Sequence, residues 1–73
     1  MSMDRSQLEF TLYCVENLAA ELGRDTVEVY DLLNQSGILY DYLVPLYDVL
    51  HTQSRDYIVE DILEAMRKKG IAS

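Results

Sequence analysis

Asp48 and His51 lie three residues apart in the stretch LYDYLVPLYDVLHT (residues 39–52). On a helix that spacing is one turn, so a carboxylate and an imidazole could reach one metal ion. Two ligands are too few, since a structural zinc needs four and a catalytic one usually three. Glu60 and Asp61 are the nearest further acids on the next segment, and nothing in the sequence brings them to His51. The simpler reading is a histidine near a helix C-terminus, favoured there by the helix dipole and by Asp48 one turn back. As a general base, His51 would need a nucleophile or substrate group within reach and a third group to orient its ring. Cys14 is the only thiol; it sits between Tyr13 and Val15 with no nearby base to favour a thiolate, which suits a small buried hydrophobe. The chain has no glycine-rich phosphate loop and no HExxH, GxSxG or CxxC motif. So short a chain also has little room for a substrate cavity of usual size. The expectation is a protein that is not an enzyme and uses neither metal nor cofactor.

The tyrosines are the more unusual feature: six of them, against one phenylalanine and no tryptophan. Tyr13, Tyr30 and Tyr42 suit the boundary of a small core, where the ring packs and the hydroxyl stays wet. Tyr40 and Tyr47 belong to a repeated LYD, seven residues or about two helical turns apart. On one continuous helix Tyr40 aligns with Tyr47 and Asp41 with Asp48, while His51 shares the aspartate stripe. Tyrosine is enriched at protein interfaces. Tyr40, Asp41, Tyr47, Asp48 and His51 therefore form a candidate interaction surface for a basic partner, the alternative being an ordinary solvated face.

Four helical segments must position these residues. In the first, over 6–22, Leu8, Leu12, Val15, Ala19 and Leu22 recur at helical spacing and are expected to face inward, with Gly23 as cap. The second starts at Asp25 or Thr26, where Asp25 and Glu28 have the layout of a capping box. Val29, Leu32 and Leu33 supply its inner face, and Ser36-Gly37 ends it. In the third, Leu39, Leu43, Leu46 and Leu50 form an apolar seam that Tyr42 and Val49 widen. Pro45 removes the bond from its own nitrogen to the Asp41 carbonyl, so this helix is expected to kink; a break with Val44 as N-cap is the other possibility. The fourth runs over 55–69, capped by Ser54 and stopped at Gly70, with Val59, Ile62, Leu63 and Met66 inward. The run Tyr57-Ile58-Val59 could instead be a short strand. The fold expected is all-α, a compact bundle of about four short helices with the third kinked at Pro45, forming a single domain over 1–73.

Seventy-three residues are near the size at which one core is marginal, and 49% hydrophobic content is too much for a disordered chain. Such a domain is expected to complete its core as a homodimer, or to be stable only with its partner. A single cysteine and the lack of a signal-like or membrane-spanning run point to the cytoplasm. The net charge of −7 is unevenly placed. Residues 25–64 carry nine acids against Arg55 alone, and the other C-terminal bases gather at Arg67, Lys68 and Lys69. That surface repels a phosphate backbone, so a basic protein surface fits better than nucleic acid, unless the acidity serves solubility alone. A helix-turn-helix DNA-binding regulator would share the helix count but needs a basic recognition face.

From LEFTLYCVE (8–16) through YDVLHT (47–52) to DYIVEDILEAM (56–66), the sequence resembles a small bacterial family catalogued as domain of unknown function three-seven-nine-one. The landmarks are Phe10, Tyr13, Cys14 and Glu16, then Gly37, then Tyr47, Leu50, His51 and Thr52, then Tyr57, Asp61 and Ile62. Pro45 departs from the family pattern. The resemblance implies no catalytic residues. It implies a gene neighbour resembling an ADP-ribosyltransferase, and hence an antitoxin-like or accessory role for this chain.

Overall fold

Helix α1 (Arg5–Leu22) is the element on which the others are assembled, packing against both α2 (Thr26–Ser36) and α4 (Arg55–Lys68). At 1.5 Å per residue its 18 residues span about 27 Å. That matches the longest dimension, 28 Å, of a body measuring 28 × 26 × 22 Å. The computed structural model describes residues 3–71; residues 1–2 and 72–73 of the expected 1–73 domain lie outside the described residues. Four α-helices and one π-helical segment account for the regular structure, and the described residues include no strand. The protein is all-α.

The start of α1 is fixed by a capping box that sequence reading overlooked. The Asp4 side chain accepts from the Gln7 N–H at 2.8 Å, and the Gln7 side chain accepts from the Asp4 N–H at 3.1 Å. Gly23 ends the helix at φ +67°, a conformation that glycine adopts without a Cβ penalty. The inward face differs from the expected one. Phe10, Thr11, Cys14, Val15, Leu18 and Ala19 are buried, while Leu8 and Leu12 stand exposed. At 100° per residue the centre of the buried arc is rotated by roughly 70° from that of the leucine stripe. The cause is that α1 must serve neighbours on two sides, so its buried arc is centred between them. Thr11, the one buried polar residue among the described residues, donates its hydroxyl to the Met3 sulfur at 3.4 Å.

Helix α2 begins after Asp25, but the expected capping box does not form, and Asp25 makes no side-chain cap. Glu28 is instead drawn to Arg24, 2.8 Å away and one turn back. Val29 and Leu33 are buried and Leu32 is half-buried.

The third segment departs most from regularity. Residues Leu39–Leu43 form a π-helical turn, and α3 (Tyr47–Leu50) is a single turn beyond it. Pro45 is the cause. Its ring crowds the carbonyl four residues back and its nitrogen carries no hydrogen. The chain widens ahead of it, with the Val44 N–H reaching the Leu39 carbonyl at 3.0 Å, five residues back. Leu46 N–H still bonds to the Tyr42 carbonyl at 3.1 Å, but Leu46 itself adopts φ −97°, ψ 13°, and the helix restarts at Tyr47. The expected single kinked helix is thus two short pieces. The seam is buried at Leu39, Leu43 and Leu50, whereas Leu46, at the break, is 36% exposed and Val49 is exposed.

Helix α4 follows its expected course. Ser54 accepts from the Tyr57 N–H at 3.2 Å, and Ile58, Val59, Ile62 and Met66 are buried. The run Tyr57-Ile58-Val59 is helical, since the apolar period continues through it into Ile62 and Met66. Two cations tie α4 to the rest. Arg55 donates to the Asn17 side chain at 2.9 Å and lies 3.5 Å from Glu21, both on α1. Lys69 donates to the Ser36 carbonyl at the end of α2, at 2.9 Å.

Candidate interaction surfaces

His51 follows the last turn of α3, and its Nδ1 lies 2.6 Å from the Tyr47 carbonyl oxygen. A carbonyl only accepts, so Nδ1 carries the hydrogen, and in the neutral ring Nε2 is left as an acceptor. The imidazole lies flat on the Tyr47 ring, with centroids 4.4 Å apart and planes 9° from parallel. Tyr47 in turn meets Phe10 of α1 edge to face, at 5.5 Å and 75°. These rings form one wall of an open cleft of about 350 Å³ between the first half of α1, the end of α3 and the start of α4. Ser6, Glu9 and Tyr13 of α1 complete it on one side, and Gln53 and Ile58 on the other. Four residues that carry the family resemblance (Phe10, Tyr13, Tyr47 and His51) therefore meet at one place.

The Nδ1 bond to a backbone carbonyl leaves Nε2 of His51 open, which is also how a metal-bound histidine is oriented, so the further ligands decide the matter. Among the described residues no three His, Cys, Asp or Glu side chains come together as a metal ion would require.

The expected ridge of Tyr40, Asp41, Tyr47, Asp48 and His51 is divided, because it depends on a continuous α-helix and the chain is interrupted between its halves. Tyr47 and His51 turn to the α1 cleft. Asp41 borders a second depression of about 280 Å³ with Tyr42, Asp61 and Lys69, and its carboxylate lies 3.8 Å from the Lys69 ammonium. Tyr40 packs half-buried against the core, and Asp48 is exposed. In the second depression the Tyr42 hydroxyl donates to Asp61. Burial, and then the Asp61 hydrogen bond and charge, hold the Tyr42 phenol well above its ordinary value.

Cys14 is wholly buried, and burial pushes its thiol up to about 12. The thiolate is suppressed near neutrality, so its chemistry is that of a packed apolar side chain.

On the other flank of α1, Leu8 and Leu12 are 43% and 45% exposed, and Val27 of α2 is 64% exposed. Leu12, Val15, Val27 and Tyr30 line a shallow groove of about 220 Å³ between the two helices, with Glu16 at its edge. Leu8 extends that apolar strip by one turn. The surrounding charge is one-sided. Arg5, Arg24, Arg55, Arg67 and Lys69 each have an acidic partner. Glu16, Asp25, Asp31, Asp48 and Glu60 have no cation beside them among the described residues.

Sequence reasoning missed Glu9 and the exposed strip. The first was detectable, since Ser6, Glu9, Phe10 and Tyr13 fall at offsets zero, three, four and seven, one helical face. The strip was not, because nothing local tells which apolar arc of α1 its two neighbours will cover.

No helix among the described residues is long and apolar enough to cross a membrane. No curated protein and no solved structure matches the chain. The sequence model of the family described as "Protein of unknown function (DUF3791)" matches residues 9–69, most of the 73-residue chain. With the resemblance carried by Phe10, Tyr13, Tyr47 and His51, that match makes this chain a member of the DUF3791 family.

Proposed function

We propose that this protein is a small acidic interaction module that works by docking a protein with a basic surface, rather than by catalysis, and that it does so in the cytoplasm. The observation that carries the reading is the apolar strip Leu8–Leu12–Val27, left open on α1 and α2 in a chain of net charge −7. An exposed apolar strip with a charged margin is the usual composition of a docking surface. The uncompensated acids select a basic partner and speed its approach. They also disfavour nucleic acid, because five of the six cations are held by acids of the chain itself. The family resemblance adds the partner class, an ADP-ribosyltransferase-like protein, toward which this chain acts in antitoxin-like fashion.

The test is a binding titration against an ADP-ribosyltransferase-like protein of the class the family resemblance implies, at low and high salt, with wild type and Leu12→Asp. The variant changes an exposed side chain, so its thermal melt stays close to wild type while binding is lost. Wild-type binding weakens as salt rises. Equal affinity of the two chains sinks the reading.

Self-association is the second reading, favoured by the same strip, which a second copy could cover. Two chains of −7 repel, so a homodimer through this strip tightens as salt rises, opposite to the hetero-complex. Sedimentation at two salt concentrations separates the two.

A further inference from the structure

The cleft between α1, α3 and the start of α4 has a chemistry of its own, distinct from the apolar strip. Its polar groups are Ser6, Glu9, Tyr13, Tyr47, His51 and Gln53, and no lysine or arginine lines it. Glu9 brings a carboxylate. The hydrogen bond from His51 Nδ1 to the Tyr47 carbonyl leaves Nε2 of the neutral ring as a second acceptor. Flat on Tyr47, the His51 ring already forms a two-ring stack, and Tyr13, one turn from Glu9, is an exposed ring beside them.

We propose that this cleft receives an arginine side chain of the protein partner. A guanidinium is planar, permanently charged, and donates several N–H groups in a fixed fork, so it can stack on an aromatic wall while bonding a carboxylate. Lysine has the charge but no plane to stack. Glu9 is available for such an exchange. Its present partner, Arg5, approaches at 3.3 Å with side chains 92% and 68% exposed, the kind of surface pair that contributes little and is readily replaced. Arg55, the nearest cation on α4, is engaged by Asn17, Glu21 and Asp56 and does not fill the cleft. The proposal rests on the docking reading and specifies one side chain of the basic partner.

A probe that needs no partner tests it. N-acetyl-arginine methylamide is titrated into the full chain and followed by nuclear magnetic resonance, beside the matching citrulline and lysine compounds. Citrulline keeps the shape and loses the charge; lysine keeps the charge and loses the plane. The expected result is a shift pattern confined to Glu9, Phe10, Tyr13, Tyr47 and His51, with arginine binding at least about fivefold tighter than either control. Glu9→Gln and Tyr13→Ala, both changes of exposed side chains, each remove the response and leave the thermal melt in place. Equal binding of citrulline or lysine, an unchanged response in both variants, or no response to arginine overturns the proposal. Loss of partner binding in Leu12→Asp but full binding in Glu9→Gln also overturns it while leaving the docking reading standing.

Discussion

Replacing Cys14 with alanine should flatten the alkaline limb of the protein's stability profile. The thiol is wholly buried, and burial raises it from 9.0 in the unfolded chain to about 12 in the folded one. A raised acid is protonated in the fold while the unfolded chain releases its proton. The stability it contributes is therefore complete below 9.0 and lost as pH climbs from there toward about 12. The loss is about 1.4 kcal/mol by pH 10 and about 2.7 kcal/mol by pH 11. Those are large fractions of what a domain this small can hold. Cys14→Ala costs about 1–2 kcal/mol at neutral pH through the small cavity it leaves. Its stability should then change less steeply with rising pH than the wild type's. The assay is urea unfolding followed by circular dichroism at steps between about pH 7 and pH 11. Parallel profiles for the two chains refute the reasoning. So does a thiol reagent that modifies native Cys14 as fast as it modifies the unfolded chain, since that would mean the sulfur is accessible.

Other positions give sharper structural tests. Gly37 ends α2 at φ +88°, and an added Cβ would stand 2.9 Å from the Asp41 carboxylate, so Gly37→Ala should cost about 1–2 kcal/mol in thermal melts. Tyr42→Phe removes the donor to Asp61; with both groups only partly buried, the loss should be about 1–2 kcal/mol by urea unfolding, and the variant should lose less stability than wild type in strong alkali. Leu43→Ala should cost about 2–5 kcal/mol, whereas Leu46→Ala at the exposed break should cost under about 1.5 kcal/mol, and equal losses would restore the continuous leucine seam. Arg55→Met should loosen the contact of α1 with α4, read as faster amide exchange in the first turns of α4 while α2 is unchanged.

Helix existence and extent were legible because period and punctuation are local. Gly23, Gly37, Ser54 and Gly70 mark boundaries by backbone chemistry that needs no tertiary partner. Phase was less legible. Leu8 and Leu12 have the right spacing for a core stripe, yet the buried arc of α1 is set by where α2 and α4 lie. Caps were legible only as candidates. Asp25 and Glu28 have the box spacing, but Arg24 offers Glu28 a stronger partner than a backbone N–H, whereas Asp4 and Gln7 have no such competitor. In the third segment Pro45 announced a disturbance, but whether the chain kinks or divides depends on the wider turn that forms ahead of it. The meeting of Tyr47 and His51 with Phe10 and Tyr13 joins segments more than thirty residues apart. No spacing rule reaches that far.

The wide turn before Pro45 also bears on how this chain tolerates changes in length. A bond from Val44 back to Leu39 encloses one residue more than a regular helical turn does, so the segment carries what amounts to a built-in insertion. The extra residue is taken up inside the wide turn, so the segments on either side keep nearly the facing that a regular turn would give them. Removing one residue from 39–43 should therefore let the turn close as ordinary α-helix and leave Tyr47 near Phe10 and His51 at the cleft. An added residue has no second wide turn to absorb it and should swing the following segment by about 100°. Lengthening the segment should thus be more damaging than shortening it. The loop at Thr52–Gln53, which orients no such stack, should accept an added residue with little effect.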